Sequence, residues 1–166
     1  MLEHLEIRNF ALIENLSVDF SEGFNVITGE TGAGKSIILG ALGLLMGERA
    51  DTSAVRSGCD EIVINAVVSI PEDHEILPWL EEKGVIPEDG AIYIKRTVKA
   101  NGSRSLIHVQ NQLFTRQDLA TLADSIIDMH GQSEHQSLLS SENQRKILDS
   151  YANNEELLQL CNDSYR

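Results

Sequence analysis

Polar and apolar residues alternate along several stretches of the chain, and the alternation predicts strands, because successive side chains of a strand point to opposite faces. Leu2-Glu3-His4-Leu5-Glu6-Ile7 and Leu16-Ser17-Val18-Asp19-Phe20 predict two short strands, with Arg8-Asn9-Phe10 and Glu14-Asn15 between them. Glu61 to Ile70 alternates throughout, with Ile62, Ile64, Ala66, Val68 and Ile70 on one side, and predicts a half-buried strand ended by Pro71. Ile92–Lys99 and Ser103–Val109 flank Asn101-Gly102, a strong hairpin signal. Two further runs alternate less strictly and predict more buried strands: Phe24 to Thr28, entered through Ser21-Glu22-Gly23, and Ser125 to Met129 around Ile126-Ile127.

Helical patterns fill the intervals. The apolar run Ile37 to Met46 predicts a helix starting near Lys35 and stopping at Gly47, a residue suited to the left-handed position after a helix. Asp73 to Lys83, started or broken by Pro78 and closed by Gly84, places Ile76, Leu77 and Leu80 on one face. The single tryptophan, Trp79, is expected to pack in or beside the core. Thr115-Arg116-Gln117-Asp118 resembles a capping box and predicts a short helix carrying Leu119, Leu122 and Ala123. Glu48 to Cys59 lacks a period and reads as a loop. From Ser140 onward helix formers dominate, with Ile147, Leu148, Tyr151, Leu157, Leu158 and Leu160, and Asn153-Asn154 punctuates them. The last leucines have few partners left to bury them, so this end is expected to continue into further structure.

One segment in this frame carries specific chemistry. Gly29-Glu30-Thr31-Gly32-Ala33-Gly34-Lys35-Ser36 satisfies G-x-x-x-x-G-K-[ST] at every constrained position, between a predicted strand and a predicted helix. Glycines let consecutive backbone N–H groups converge on phosphate oxygens, and the following helix contributes its free amides and the positive end of its dipole. In such a loop the amine of Lys35 neutralises the β- and γ-phosphates, and the hydroxyl of Ser36 ligates Mg²⁺. A nucleotide with Mg²⁺ is therefore the expected ligand, and the fold class expected is α/β.

Composition narrows the setting. With 166 residues, 42% of them hydrophobic, the chain can bury a sizeable core. Its longest apolar run is too short for a membrane span, and Met1-Leu2-Glu3-His4 does not open a secretory signal, so a cytoplasmic protein is expected. Cys59 and Cys161 lack metal-site spacing and are expected as free thiols. His130 and His135, five residues apart, share no helix face. A formal charge of −13 argues against indiscriminate nucleic-acid binding, yet Ala91 to Gln117 holds Lys95, Arg96, Lys99, Arg104 and Arg116 and no acidic residue. Two readings stand for this segment: a solvated hairpin face, or a patch that contacts DNA phosphates.

Four blocks together resemble a known family. They are Leu5 to Glu14, the phosphate loop, Gly47-Glu48-Arg49-Ala50-Asp51, and Asp128-Met129-His130-Gly131-Gln132-Ser133-Glu134-His135-Gln136. They closely resemble the N-terminal part of the RecN family of bacterial DNA repair proteins, relatives of the SMC proteins with ABC-type ATPase heads. The resemblance implies a split head: residues 1–152 as an N-terminal lobe with an antiparallel β subdomain, and 153–166 as the start of a coiled-coil helix. It further implies that Gln132 is the Q-loop residue approaching Mg²⁺ or the attacking water. Arg8 and Asn9 are implied near the nucleotide, and Arg56 near nucleotide or DNA. A C-terminal lobe of the same protein and a second head, joined through ATP, are the implied partners, with DNA as the target and the nucleoid as the place of action. The chain departs from the family turn at Gln110-Asn111-Gln112. It also holds neither an apolar run ending in Asp-Glu nor Ser-Gly-Gly, so the ATPase is expected of the intact protein and not of this chain alone. A transporter ATPase fragment and a non-catalytic phosphate-binding module are the competing classes.

Overall fold

The computed structural model describes residues 1–29, 34–102 and 105–127, with scattered positions between Gln144 and Ser164. It divides into two compact units, Met1–Asp128 and Met129–Arg166. The first contains strands β1 (Leu2–Phe10), β2 (Ile13–Asp19), β3 (Glu61–Ser69), β4 (Ala91–Lys99), β5 (Leu106–Val109) and β6 (Gln112–Leu113), and helices α1 (Lys35–Leu45), α2 (Leu77–Glu82) and α3 (Arg116–Ile126). The six strands form one sheet in the order β2-β1-β3-β4-β5-β6, with every pair antiparallel.

The alternation read from the sequence decides which face is buried. Ile62, Ile64, Ala66 and Val68 of β3 lie beside Val98, Arg96, Ile94 and Ile92 of β4 in register, and all eight are buried. Leu5 and Ile7 of β1 extend this face on one side, and Ile107 and Val109 of β5 on the other. Ala41, Leu44 and Leu45 of α1 and Leu119 and Leu122 of α3 join the same core. Close approach is built in: a Cβ on Gly40 of α1 would stand 3.3 Å from the Phe10 ring.

Turns and caps follow local chemistry. The β4–β5 register centres on Asn101 and Gly102, as the sequence predicts. Among the described residues there, Gly102 alone takes a positive φ, 71°, and its N–H donates to Lys99 O at 3.2 Å. This is the type I turn followed by a left-handed glycine, rather than Asn-Gly occupying both central positions. The departure at Gln110-Asn111 also closes as a two-residue turn, pairing Val109 with Gln112, and Gln110 accepts a φ of 51° to do so. At α3 the expected capping box is complete, with Thr115 Oγ1 accepting from Asp118 N and the Asp118 carboxylate accepting from Thr115 N. Trp79 meets Phe114 edge-on at 5.9 Å, and the ammonium of Lys83 lies 5.4 Å from its ring centroid.

Two expectations fail. Phe24 to Thr28 is not a strand: Phe24 is 92% and Val26 65% exposed, and no described strand pairs with the segment. An unpaired strand lacks the ladder that holds it, whatever its propensity. Ser125 to Met129 is likewise not a strand in its described part. Ser125 and Ile126 complete α3, with Ser125 Oγ donating to Leu122 O and Ile127 N to Ala123 O. The helical spacing of Leu119, Leu122 and Ile126 overrides the β preference of two isoleucines. The strands at the N-terminus, by contrast, run further than expected, β1 taking in Arg8-Asn9-Phe10.

In the second unit the described positions from Gln144 to Ser164 are mainly helical, and Leu148, Tyr151, Leu157 and Leu160 are exposed.

Candidate functional site

Of the predicted phosphate loop, the described residues are Gly29 and those from Gly34 into α1. Gly34 precedes the first helical residue at φ 151°, a conformation L side chains rarely adopt, and its carbonyl accepts from Ile37 N and Ile38 N. No side chain caps this end. Lys35, the first residue of α1, folds back so that its ammonium donates to Gly29 O, which brings the charge across the loop. Ser36 follows, exposed to solvent. Glu30, Thr31, Gly32 and Ala33 lie outside the described residues. A cation, flanking glycines at positive φ and a helix terminus with an accessible hydroxyl form a donor set that suits an anionic phosphate and its accompanying cation. Among the described residues no group of three or more His, Cys, Asp and Glu side chains could hold a metal by itself.

A second cluster forms where the loop before β3 is stitched to the β1–β2 turn. Ala11 N donates to Ala54 O at 2.7 Å, and Arg56 N to Asn9 O at 3.0 Å. The Arg56 guanidinium reaches Leu12 O at 2.8 Å and stands 3.7 Å from the Glu14 carboxylate. Asn9, at φ 56°, donates from its amide to Glu61 O at 3.2 Å. Asn9 also lines an open groove of about 670 Å³ with Gly58, Cys59, Asp60, Glu61, Lys99, Ala100 and Asn101. The structure thus joins Asn9 to Arg56, and Lys35 to Gly29. Arg8 is engaged differently: its Nε donates to the Glu6 carboxylate at 2.8 Å. This bond, with a second from Asn65, holds the Glu6 carboxyl below its ordinary pKa. Gln132 lies outside the described residues.

The basic segment needs correcting. Lys95 and Lys99 are exposed on β4, and Arg104 lies outside the described residues, but Arg96 is only 1% exposed and cannot be part of a DNA-contacting patch. It alternates with Ile92, Ile94 and Val98 and therefore turns toward the core. There its Nη1 donates to Leu44 O, its Nη2 to Glu48 O at 2.7 Å and its Nε to Ser105 Oγ at 3.1 Å. Arg116 adds a bond to Gly47 O at 3.2 Å. Burial, the nearby Arg116 charge and an opposing contribution from Glu48 leave Arg96 with a pKa of about 10, so it stays charged at neutral pH. Two arginines therefore grip the carbonyl end of α1, where a cation complements the negative end of the helix dipole, while the other end of the helix begins at Lys35. The sequence reading does not find this grip, although an arginine among alternating inward apolar positions is its signal.

The chain belongs to the AAA domain family, whose model matches residues 4–164. DNA repair protein RecN of Xylella fastidiosa (strain Temecula1) is 42% identical over 157 residues, covering 93% of this chain and 28% of that protein. The chain thus spans under a third of that relative's length. Among solved structures, an SMC ATPase described for ATP-driven dimerization and DNA-stimulated activation superposes with a TM-score of 0.61 at 19% identity, covering 89% of this chain and 97% of that one. The recombination mediator RecF with ATP superposes with a TM-score of 0.51 at 21% identity, over 69% of this chain and 27% of that one. These likenesses show that the chain shares the fold of the SMC ATPase and RecF structures on which it superposes.

Proposed function

We propose that this chain is the ATP-binding N-terminal head lobe of a RecN-like, SMC-family ATPase that acts in DNA double-strand-break repair and recombination. The observation that carries the reading is the phosphate loop leading into α1, with Lys35 bridging to Gly29 and Ser36 accessible beside it. Lys35 would hold the β- and γ-phosphates of ATP and the amides of Gly29 to Ser36 would cradle them; Ser36, with Gln132, would hold Mg²⁺, which when bound supplies charge neutralisation at the phosphates. Arg8 and Asn9 are the further residues expected near the nucleotide, and Arg56, joined to Asn9 at the β1–β2 turn, near nucleotide or DNA. Residues 1–152 form the lobe and 153–166 begin a coiled coil, a reading supported by the exposure of Leu157 and Leu160.

The exposed Phe24, Val26 and Ile27 support the idea of a missing partner layer. A C-terminal lobe of the same protein pairs with this segment and brings the carboxylate that hydrolysis needs. A second head contributes the signature motif, so ATP joins the two and hydrolysis releases them. DNA then meets Lys95 and Lys99 on the exposed face of β4. Residues 1–166 alone are expected to show no turnover of ATP, and the two-lobed protein to show turnover that Lys35→Ala removes. ATPase activity of residues 1–166 alone, abolished by Lys35→Ala, would overturn the division of the site between lobes.

A further inference from the structure

We propose that Arg96 is a positioning residue for the phosphate site, setting where α1 lies along its own axis and hence where Lys35 and Ser36 stand. The inference rests on the reading of Gly29 to Ser36 as a nucleotide-phosphate loop.

The contacts that hold the sides of α1 are apolar: Ala41, Leu44 and Leu45 lie in the common core and Gly40 faces the Phe10 ring. Dispersion contacts are weakly directional and permit sliding by a fraction of an ångström. Hydrogen bonds of a rigid, planar guanidinium to two carbonyls are directional and define a position. Arg96 makes such bonds to Leu44 O and Glu48 O, on either side of the turn at Gly47. Its third donor, on Ser105 Oγ, fixes the guanidinium plane from β5's side of the hairpin. Arg116 holds the intervening Gly47 O. The helix of 11 residues is then a rod about 16 Å long at 1.5 Å per residue, pinned at one end and presenting Lys35 at the other. Movement of the pinned end is carried to Lys35 because an α-helix resists compression through its ladder of bonds. Phosphate recognition by a set of converging amides tolerates little displacement.

Lysine in place of arginine keeps the positive charge and most of the stem but has no planar fork, so it cannot bond both carbonyls and Ser105 with the same geometry. The test is made in the full-length protein with Arg96→Lys. Equilibrium binding of Mg-ATP is read alongside the melting temperature with and without ATP and the far-UV circular dichroism. The expected result is a helical signal like that of the wild type with ATP affinity weakened about 5- to 30-fold, the range for a residue that acts through a packed element. The ATP-induced rise in melting temperature shrinks accordingly. Ser105→Ala, a milder change that removes only the third acceptor, is expected to weaken ATP binding about two- to fivefold, and it decides the matter if Arg96→Lys fails to fold. Equal lowering of the melting temperature with and without ATP, at unchanged affinity in the folded variants, would overturn the positioning role and leave Arg96 a purely structural residue. Absence of ATP binding by the wild type would instead overturn the phosphate-loop reading, and the inference with it.

Discussion

Gly47 bears two separable demands, and replacing it with alanine measures both. It sits after α1 at φ 86°, with its N–H on Leu44 O and the next N–H, of Glu48, on Gly43 O, the bonds of a Schellman end. Holding an alanine in this left-handed conformation costs about 1–2 kcal/mol. A Cβ there would also lie 2.9 Å from the Ala120 Cβ, 3.0 Å from Ala120 N and 3.0 Å from Arg116 O. Two of these atoms are backbone of α3, so the neighbour cannot swing aside, and such overpacking costs about 1–3 kcal/mol. The sum expected for Gly47→Ala is about 2–5 kcal/mol. Gly58→Ala isolates the conformational part, since Gly58 has φ 83° and a Cβ there would meet nothing within 4 Å; its cost is about 1–2 kcal/mol. Urea unfolding followed by the fluorescence of Trp79 gives both values from midpoints and slopes. Equal losses in the two variants would refute the claim that α1 and α3 meet at van der Waals contact through Gly47.

Four other outcomes are expected. Asp118 is held at a pKa of about 2, first by its hydrogen bond from Lys83 and then by those from Thr115, against an ordinary value of 3.8. A carboxyl with a lowered folded pKa stabilises above about pH 4 and loses that contribution as pH falls from about 4 to 2, a contribution of about 1–2 kcal/mol after solvent screening. Asp118→Asn is expected to flatten this part of the stability–pH curve, and a curve as steep as the wild type's would contradict the assignment. Thr115→Ala, which removes the other half of the capping box, is expected to cost about 1 kcal/mol at neutral pH by urea unfolding, and an unchanged midpoint would count against the cap. Phe24→Ser should leave the stability of residues 1–166 within about 0.5 kcal/mol, because Phe24 is 92% exposed. Ile64→Ala, at a fully buried position, should cost about 2–5 kcal/mol. A large loss for Phe24→Ser would place that ring in a core.

How much of the fold and the site is legible in the sequence depends on whether the information is local. The alternation around Ile62 to Ile70 and the Thr115-Asp118 cap are complete within a few residues, and the structure reproduces both. The helix start after the G-x-x-x-x-G-K-[ST] pattern is also local, and α1 begins at Lys35 with Gly34 before it. Phe24 to Thr28 departs from its pattern because strand formation depends on neighbours the residues themselves do not encode. Ile126-Ile127 departs because a short apolar run reads as strand or helix until its packing partners, here in line with Leu119 and Leu122, are known. Arg96 groups with its basic neighbours by count, although the same alternation that orients β3 turns it inward. Its partners, Leu44 O and Glu48 O, are backbone atoms some fifty residues away, and no composition or motif announces such a contact.

The central claim is that Gly29 to Ser36 binds nucleotide phosphate through Lys35. Its most direct test is equilibrium binding of Mg-ATP to the full-length protein, wild type against Lys35→Ala, with folding of both checked by circular dichroism. Loss of a charge-assisted contact of this kind, about 1.5–3 kcal/mol, predicts binding weakened at least about tenfold in the variant. Equal affinity of the two folded proteins would contradict the claim.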